Sequence, residues 1–496
     1  MRLTDPSVLR AAIEGGLTHL DTADVYGPTH TDLHANEGLV AAAATPDCTV
    51  VTKVGFVRPP QGRWTPDGRA GHLRQAALKS VETLGRVDQL LLHFPDPKRK
   101  LGTSLRALAK LQNEGLVGGI GVCNVTLAQL REAMSLVELT SIQVPLSLHH
   151  TDAIRGGVVG AALAAGLQVQ AHSPFGGPKS HTQVGRDPTL RAVAAELGCS
   201  PYAVALAALA DLSLVPLAGP TRMETLEAAL EAQTLDLSEH RERLHAAFPA
   251  LALLTDADRR PAEPNGQEVV VFVGMPGSGK STAAQELVDA GYERLNRDER
   301  GGTLKKLLPP LKAALAAGKS VVLDNTYASR ARRNELVELA WQAGGTARCV
   351  HFTTDRHDCQ INAMWRMLVR YGRLEGDKGD PQAFGPMALG RWQRTFEPPE
   401  LNEGFESIDE RAFIRRPWHG EGAILLDAEA PEQAGIRLGS CPHGGGIPRC
   451  WCRPPLPGLL LVALFEHTLD PTKCRLVTDN PKLRQAATRL GIPESP

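Results

Sequence analysis

The stretch Val269–Thr282, VVVFVGMPGSGKST, decides the fold of the second half of the chain. An apolar run rich in valine leads into the spacing GxxxxGK[ST], which is typical of a phosphate-binding loop between a strand and a helix. The glycines let backbone N–H groups close around phosphate oxygens, and the N-terminus of the following helix adds its partial positive charge. The stretch therefore predicts an α/β domain that binds a nucleoside triphosphate.

Residue roles in and after this loop follow from the chemistry of phosphates and of Mg²⁺. Lys280 is predicted to reach the β- and γ-phosphates, and Ser281 to ligate Mg²⁺. Two carboxylates follow the next predicted strands: Asp324 in VVLDNT supports Mg²⁺, and Asp298 in LNRD accepts the proton of an attacking hydroxyl. The residues predicted to bind ATP are Gly274, Gly277, Ser278, Gly279, Lys280, Ser281, Thr282 and Asp324.

The phrases GMPGSGKST, LNRD and VVLDNT together resemble the kinase domain of polynucleotide kinase/phosphatases, over roughly residues 266–415. The resemblance implies that the acceptor is a 5′-hydroxyl end of DNA or RNA and that Asp298 is the general base. It also implies a lid helix in which Arg366, or next Arg370, contacts the transferring phosphate. A small-molecule kinase uses the same loop and is the alternative.

Short apolar runs alternate with helical patterns before residue 250, which predicts a parallel sheet with covering helices. About seven strand–helix units fit into about 230 residues, so we expect a (β/α)8 barrel that is incomplete by one strand. Either that strand is absent or the true start codon lies upstream. The chain opens with a predicted helix, with Pro6 in its first turn.

Four polar side chains, Asp21, Tyr26, Lys53 and His93, follow predicted strands and should meet at the mouth of the barrel. An Asp21–Lys53 pair would keep Lys53 protonated, and its charge would lower the pKa of Tyr26. Tyr26 would then be a general acid near neutral pH, while His93 would orient a carbonyl oxygen.

These four residues resemble the tetrad of the aldo-keto reductases, and the resemblance covers about residues 1–245. It implies NADPH-dependent reduction of a small carbonyl compound. By the same resemblance, Asn124 and Gln143 contact the nicotinamide amide, and Arg222 pairs with the 2′-phosphate. The alternative to a bifunctional enzyme is that the reductase is the main activity and the P-loop half only binds nucleotide or acts on a small molecule.

The C-terminal part carries Cys441, His443, Cys450 and Cys452, a donor set suited to a tetrahedral Zn²⁺ site. The phrase CPHGGGIPRCWC resembles the zinc loop of phosphatases of the haloacid dehalogenase superfamily. The nucleophile motif DxDGT of that superfamily is incomplete around Asp427, which is followed by AEA. We therefore expect a shortened, zinc-stapled α/β remnant without phosphatase activity.

Composition limits the remaining possibilities. There are 54 Lys and Arg residues against 55 Asp and Glu, so the net charge of −1 excludes a histone-like DNA binder. The sequence lacks an apolar run of about 18 residues and an apolar stretch after Met1, so we expect no membrane association and a cytoplasmic location. The predicted divisions are a barrel (1–250), a linker (251–267), a P-loop domain (268–415) and the zinc-stapled remnant (416–496).

Overall fold

The computed structural model describes residues 6–61, 63–177, 180–219, 223–255, 259–375, 380, 382–441 and 450–493. The chain divides into two compact units, Met1–Asp258 and Arg259–Pro496. Each unit has its own hydrophobic core, and each is described separately below.

The first unit is built on a parallel sheet of seven strands in the described residues, in the order β1-β2-β5-β6-β7-β8-β9. A short antiparallel hairpin, β3–β4, follows β2. The strands are β1 (His19–Asp21), β2 (Thr49–Val54), β3 (Phe56–Val57), β4 (Thr65–Pro66), β5 (Gln89–Leu92), β6 (Gly119–Cys123), β7 (Ser141–Pro145), β8 (Gln168–His172) and β9 (Leu214–Leu217). All seven predicted runs form strands of this one sheet, which confirms the incomplete barrel.

Helices cover the outside of this sheet. They are α1 (Pro6–Glu14), α2 (Ala35–Ala43), α3 (Ala70–Leu84), α4 (Leu101–Asn113), α5 (Leu127–Leu136), α6 (Asp152–Arg155), α7 (Val158–Ala164), α8 (Thr182–Arg186), α9 (Pro188–Leu197), α10 (Pro201–Ala210), α11 (Met223–Ala232) and α12 (Arg241–Ala247), with 3₁₀ turns at Ser238–His240 and Pro249–Leu254. The helix starts follow local chemistry: Asp187 caps α9 and Ser200 caps α10, each followed by a proline in the first turn.

The described helices differ in length and in how apolar they are, and only a long apolar helix can cross a membrane. Taken singly, none of them is both long and apolar enough. The consecutive helices α9 and α10 together have the length and the apolar composition of a membrane span, but the chain bends by 94° between them.

The two outer strands, β1 and β9, each pair on one side only within the described residues. The gap between them is spanned by helices, because α1 packs against α11 through Val8, Ala12 and Leu226. The side-chain amide of Gln233 adds a bond across the gap by donating to the Gly15 carbonyl oxygen at 3.0 Å. Side-chain packing therefore links the two open edges.

The second unit contains a five-stranded parallel sheet in the order β11-β12-β10-β13-β14 and a three-stranded parallel sheet in the order β16-β15-β17. The strands are β10 (Glu268–Val273), β11 (Glu293–Leu295), β12 (Val321–Leu323), β13 (Thr346–Phe352), β14 (Ile408–Arg411), β15 (Ile424–Leu426), β16 (Ile436–Arg437) and β17 (Arg475–Val477). The helices are α13 (Lys280–Asp289), α14 (Arg297–Arg300), α15 (Leu308–Ala316), α16 (Arg330–Gln342), α17 (Arg356–Tyr371), α18 (Met387–Thr395), α19 (Gly458–Glu466) and α20 (Pro481–Leu490). Short 3₁₀ turns lie at Leu304–Leu307, Leu401–Glu403 and Pro471–Lys473.

One hydrophobic cluster joins the P-loop region to the C-terminal part of this unit. Helix α17 contributes Met364 and Leu368, while α19 contributes Leu460 and Leu464 to the same buried group. The two helices therefore share a core although they lie about ninety residues apart in sequence.

A buried ion pair fixes the end of the P-loop region. Arg333 and Glu403 are both fully buried and joined by two bonds of 2.7 Å, from Arg333 Nε to Glu403 Oε2 and from Nη2 to Oε1. The guanidinium also donates to the carbonyl oxygens of Tyr327, Ala328 and Pro398 at 3.1, 3.0 and 3.3 Å. This pair ties α16 to the turn at Leu401–Glu403.

Candidate active sites

The tetrad predicted in the first unit gathers at the carboxyl ends of β1, β2 and β5. Lys53 is fully buried, and its Nζ donates to Asp21 Oδ2 and to the Thr22 carbonyl oxygen, both at 2.7 Å. The same Nζ lies 5.0 Å from the ring centroid of Tyr26. The ring of His93 meets the Tyr26 ring edge-on, with centroids 5.7 Å apart.

Electrostatics keep both Lys53 and Tyr26 protonated. Burial alone would lower the pKa of Lys53, but the neighbouring Asp21 and Tyr26 raise it above its ordinary value. Burial raises the pKa of Tyr26, and the charge of Lys53 only partly offsets this rise. The net shift is thus opposite to the predicted lowering, because desolvation of the phenolate outweighs its attraction to Lys53. A phenol that keeps its proton can still donate it.

His93 and the β3–β4 hairpin form an aromatic wall beside Tyr26. Burial and the charge of Lys53 hold the pKa of His93 well below its usual range, so its imidazole is neutral. Its ring lies edge-on to Phe56 at 4.7 Å and to Trp64 at 6.3 Å. No role was predicted for these two aromatic residues, and the available signal was their closeness to Lys53 along the sequence, in a chain with only 4% aromatic residues.

Amide side chains from the next strands connect to the tetrad. Gln143 Nε2 donates to Asp21 Oδ1 at 2.7 Å and to Gln170 Oε1 at 2.9 Å. Asn124 Nδ2 donates to the His93 carbonyl oxygen at 3.0 Å, and its Oδ1 lies 3.1 Å from His172 Nε2. The network therefore includes His172, which carried no predicted role. The predicted 2′-phosphate partner, Arg222, lies outside the described residues.

A cavity of about 920 Å³ opens from the tetrad. Asp21, Tyr26 and His93 line its polar part. The cavity continues toward the gap between β1 and β9, where Leu9 and Ala229 line it. One end can therefore bind a polar reacting group, and the other is apolar.

The phosphate loop of the second unit has the backbone that the sequence predicts. Gly277 has a left-handed φ of 88°, and a Cβ there would lie 2.4 Å from the Cys359 carbonyl oxygen, so no other residue fits. Lys280 Nζ donates to the carbonyl oxygens of Gly274 and Met275 at 2.9 and 2.7 Å. Ser278 and Lys280 are buried, whereas Ser281 and Thr282, in the first turn of α13, are exposed.

Charged groups from three elements act on Lys280. Burial lowers the pKa of Lys280 to about 8, while the charges of Asp324 and Asp298 oppose this shift and that of Arg366 adds to it. The structure therefore brings Lys280, Asp298, Asp324 and Arg366 close enough for their charges to interact.

Asp324, at the end of β12, is held by residues to which no role was assigned. Its Oδ2 accepts bonds from Arg294 Nε and Nη2 at 3.1 and 2.6 Å and from Asn296 Nδ2 at 3.0 Å. Both donors flank Leu295 in RLN, next to the predicted base. The carboxylate is 2% exposed and has a fixed orientation.

Asp298 and Arg366 lie on short and long helices, respectively. Asp298, in α14, is half-exposed and pairs with Arg297 at 2.7 Å, and its backbone N–H donates to Asn296 Oδ1 at 2.7 Å. Arg366, in α17, donates from Nη2 to the Gln382 carbonyl oxygen at 3.3 Å, and its Nε is buried without a partner in the described residues. The alternative lid residue, Arg370, pairs with Asp380 at 3.0 Å.

Three of the four predicted zinc ligands converge. The sulfur atoms of Cys441, Cys450 and Cys452 lie 3.1 to 3.5 Å from one another. Three thiol groups at such distances can bind one metal ion that prefers thiolate ligands, such as Zn²⁺. The fourth predicted ligand, His443, lies outside the described residues.

Comparison with known proteins agrees with this geometry. The family model described as the aldo/keto reductase family matches residues 5–242, and the model described as an AAA domain matches residues 269–399. Pyridoxine 4-dehydrogenase of Escherichia coli is 32% identical over 246 residues, which cover 47% of this chain and 82% of that protein. The bifunctional polynucleotide phosphatase/kinase of Schizosaccharomyces pombe is 33% identical over 151 residues, which cover 30% of this chain but only 34% of that protein.

Solved structures also match about half of the chain. The aldose reductase of Schistosoma japonicum is 20% identical with a TM-score of 0.40, over 49% of this chain and 83% of that one. The two families imply NADP(H) for the first unit and ATP with Mg²⁺ for the second. The chain belongs to the aldo/keto reductase family through its N-terminal half, and its C-terminal half contains an α/β region that matches an AAA-domain model and is similar to part of a polynucleotide phosphatase/kinase.

Proposed function

We propose that the second unit transfers the γ-phosphate of ATP to the 5′-hydroxyl end of a polynucleotide. The observation that carries this proposal is that Asn296 is hydrogen-bonded to both Asp324 and Asp298, the two carboxylates whose charges act on Lys280 in the phosphate loop. The similarity of this region to a polynucleotide phosphatase/kinase supports the choice of acceptor.

Each of these side chains has a distinct task in such a transfer. Lys280 neutralises charge on the phosphates, and Asp324, oriented by Arg294, supports Mg²⁺. Asp298 lies on the half-exposed side of the site, where an acceptor hydroxyl can approach and lose its proton. Arg366, whose buried Nε has no hydrogen-bond partner among the described residues, stabilises the charge of the transferring group.

The test is transfer of radiolabelled phosphate from ATP to a 5′-hydroxyl oligonucleotide. We expect Asp298→Asn to lower kcat by about 10²- to 10⁴-fold. The exposed carboxylate of Asp409 provides the matched control, since Asp409→Asn removes an acidic group on β14 away from the loop. Transfer by the wild type to a small hydroxyl compound, but not to any oligonucleotide, would refute the polynucleotide acceptor.

We also propose that the first unit reduces a carbonyl compound with NADPH. The observation that favours this is the pair of 2.7 Å bonds that holds Lys53 beside Tyr26. NADPH would supply the hydride when bound, and Asn124 and Gln143, which line the cavity, would contact its amide. Tyr26 gives its proton to the carbonyl oxygen, which the neutral imidazole of His93 orients.

NADPH oxidation with a panel of aldehydes tests this second activity. Tyr26→Phe should lower the rate by at least about 100-fold, and Lys280→Ala should abolish phosphotransfer while NADPH oxidation continues. No change in NADPH fluorescence on titration with the wild type would reject the reductase assignment.

We further propose a structural Zn²⁺ at Cys441, Cys450 and Cys452, with His443 as the fourth ligand. Elemental analysis should give one zinc per chain, and Cys450→Ser should release it. A metal-free wild type, purified without chelator, would contradict the site. We propose a reducing, cytoplasmic location, because cysteines that bind a metal ion must be in their reduced form.

A further inference from the structure

A second cavity, of about 780 Å³, opens beside the phosphate loop. Ser278, Gly279 and Thr282 line it on the side of the loop. Trp418, Phe465 and Thr468 line the opposite side. These three belong to residues 416–493, here called the C-terminal segment, which carries the incomplete phosphatase motif. The cavity therefore touches the phosphate loop and a segment without an assigned role.

Several aromatic rings line this cavity. Trp365 of α17 lies edge-on to Trp418 at 5.0 Å and to Phe465 at 5.6 Å. The Arg415 guanidinium lies 5.7 Å from the Trp418 ring centroid and 5.3 Å from that of Phe413. Arg415 is in turn held by Asp358, at 2.6 Å. Flat rings and a guanidinium plane are the surfaces on which a nucleobase stacks.

The C-terminal segment itself fixes Trp418 in this position. Gly420, two residues further on, has a φ of 145°, and a Cβ there would lie 2.0 Å from the Thr468 carbonyl oxygen. The backbone N–H of Asp470 donates to the Glu421 carbonyl oxygen at 2.9 Å. The end of α19 and the stretch after Trp418 are thus joined along their backbones.

Thr468 marks the rim of the cavity with an unusual backbone. Its φ of 50° is left-handed, a conformation that is a genuine outlier for a β-branched residue. Such strain persists only where the surroundings enforce it, and it concentrates at ligand sites.

Building on the nucleotide-binding loop of the proposed kinase, we propose that this cavity takes the purine base of the nucleoside triphosphate. The phosphates lie on the loop at Ser278 and Gly279, and the base reaches the rings of Trp418 and Phe465. The C-terminal segment is then a wall of the nucleotide site, retained without its phosphatase chemistry. Its packing against α17 makes it part of the kinase.

The test measures binding of ATP and of inorganic tripolyphosphate to the full chain by calorimetry. Tripolyphosphate reports on the phosphate loop alone. We expect Trp418→Leu and Phe465→Ala to weaken ATP binding by about tenfold or more, and tripolyphosphate binding by less than about twofold. Val462→Ala is the matched control, because Val462 lies on α19 in the shared core but does not line the cavity. Both affinities should be unchanged in that variant.

Two results would overturn the proposal. One is an unchanged ATP affinity in Trp418→Leu, because the ring of Trp418 would then not bind the base. The other is an equal loss of affinity for ATP and for tripolyphosphate, because tripolyphosphate has no base. Leu keeps the apolar bulk of residue 418, and thermal unfolding of each variant confirms that the unit is folded. The assay contains no acceptor, so a failure to phosphorylate oligonucleotides would refute the proposed acceptor and leave these binding results as they are.

Discussion

Replacing Glu403 tests how strongly one buried ion pair supports the kinase-like unit. Arg333 and Glu403 are fully buried, and the carboxylate receives two bonds of 2.7 Å from the guanidinium. Breaking such a pair leaves an uncompensated buried charge and costs about 3–5 kcal/mol. Glu403→Gln keeps one acceptor oxygen, so it should lower the free energy of unfolding by about 3 kcal/mol. Glu403→Ala removes both oxygens, so it should lower that free energy by about 5 kcal/mol.

Urea unfolding followed by tryptophan fluorescence gives the measurement. Five of the six tryptophans lie in the second unit, so a Trp64→Phe background makes the signal specific to it. With a slope of about 3 kcal/mol/M, Glu403→Gln should lower the midpoint by about 1 M.

The double variant Arg333→Met/Glu403→Leu supplies the control for this reasoning. It removes both charges and fills the space with apolar atoms, so it should be much more stable than either single variant. A shift of the Glu403→Gln midpoint by less than about 0.2 M would show that Arg333 and Glu403 do not form a buried charge pair in solution.

Three further outcomes can be measured. ATP affinity should fall as the pH rises through about 8, because burial lowers the pKa of Lys280 to about 8 and the neutral amine loses its attraction to phosphate; binding at pH 6.5–9.5 checks this. Burial and the charge of Glu37 raise the pKa of Asp24 well above its ordinary value. The buried Asp24 therefore costs the fold nothing below the pKa that Asp24 has in the unfolded chain, and it destabilises the fold increasingly as the pH rises above that value. Asp24→Asn should therefore raise the Tm at pH 7, by about 2–4 °C per kcal/mol, but not at pH 3. Arg294→Met should weaken the apparent Mg²⁺ affinity by about 10- to 100-fold in phosphotransfer, because Asp324 loses its orienting partner.

The sequence predicted the seven strands of the sheet in the first unit and the first three strands of the second unit, because apolar runs with turn residues between them are local signals. Seven runs before residue 250 form one parallel sheet, and the stretch at 269–273 lies at the centre of another. The four tetrad residues come together for the same reason: each lies at or after the carboxyl end of a parallel strand, and such strand ends meet at one face.

Contacts between segments that lie far apart in the chain could not be predicted from the sequence. Nothing local to Asp324 reveals that Arg294, thirty residues earlier, orients it. The direction of the Tyr26 pKa depends on how much burial opposes Lys53, and spacing along the chain carries no measure of burial. The shared core of α17 and α19 is likewise a long-range result of packing. The assigned site residues and the boundary at 415/416 stay predictions.

The open edges of β1 and β9 give the first unit a mechanical weak point. A closed barrel resists opening because every strand is bonded on both sides. In the described residues of this unit, the gap between β1 and β9 is instead bridged by the packing of Val8, Ala12 and Leu226. Local unfolding should begin at this side-chain contact, so the backbone amides of β1 and β9 should exchange with solvent sooner than those of β6 and β7. Asp21 sits at the end of β1, and the anchor of Lys53 therefore lies beside the part of the unit that opens first.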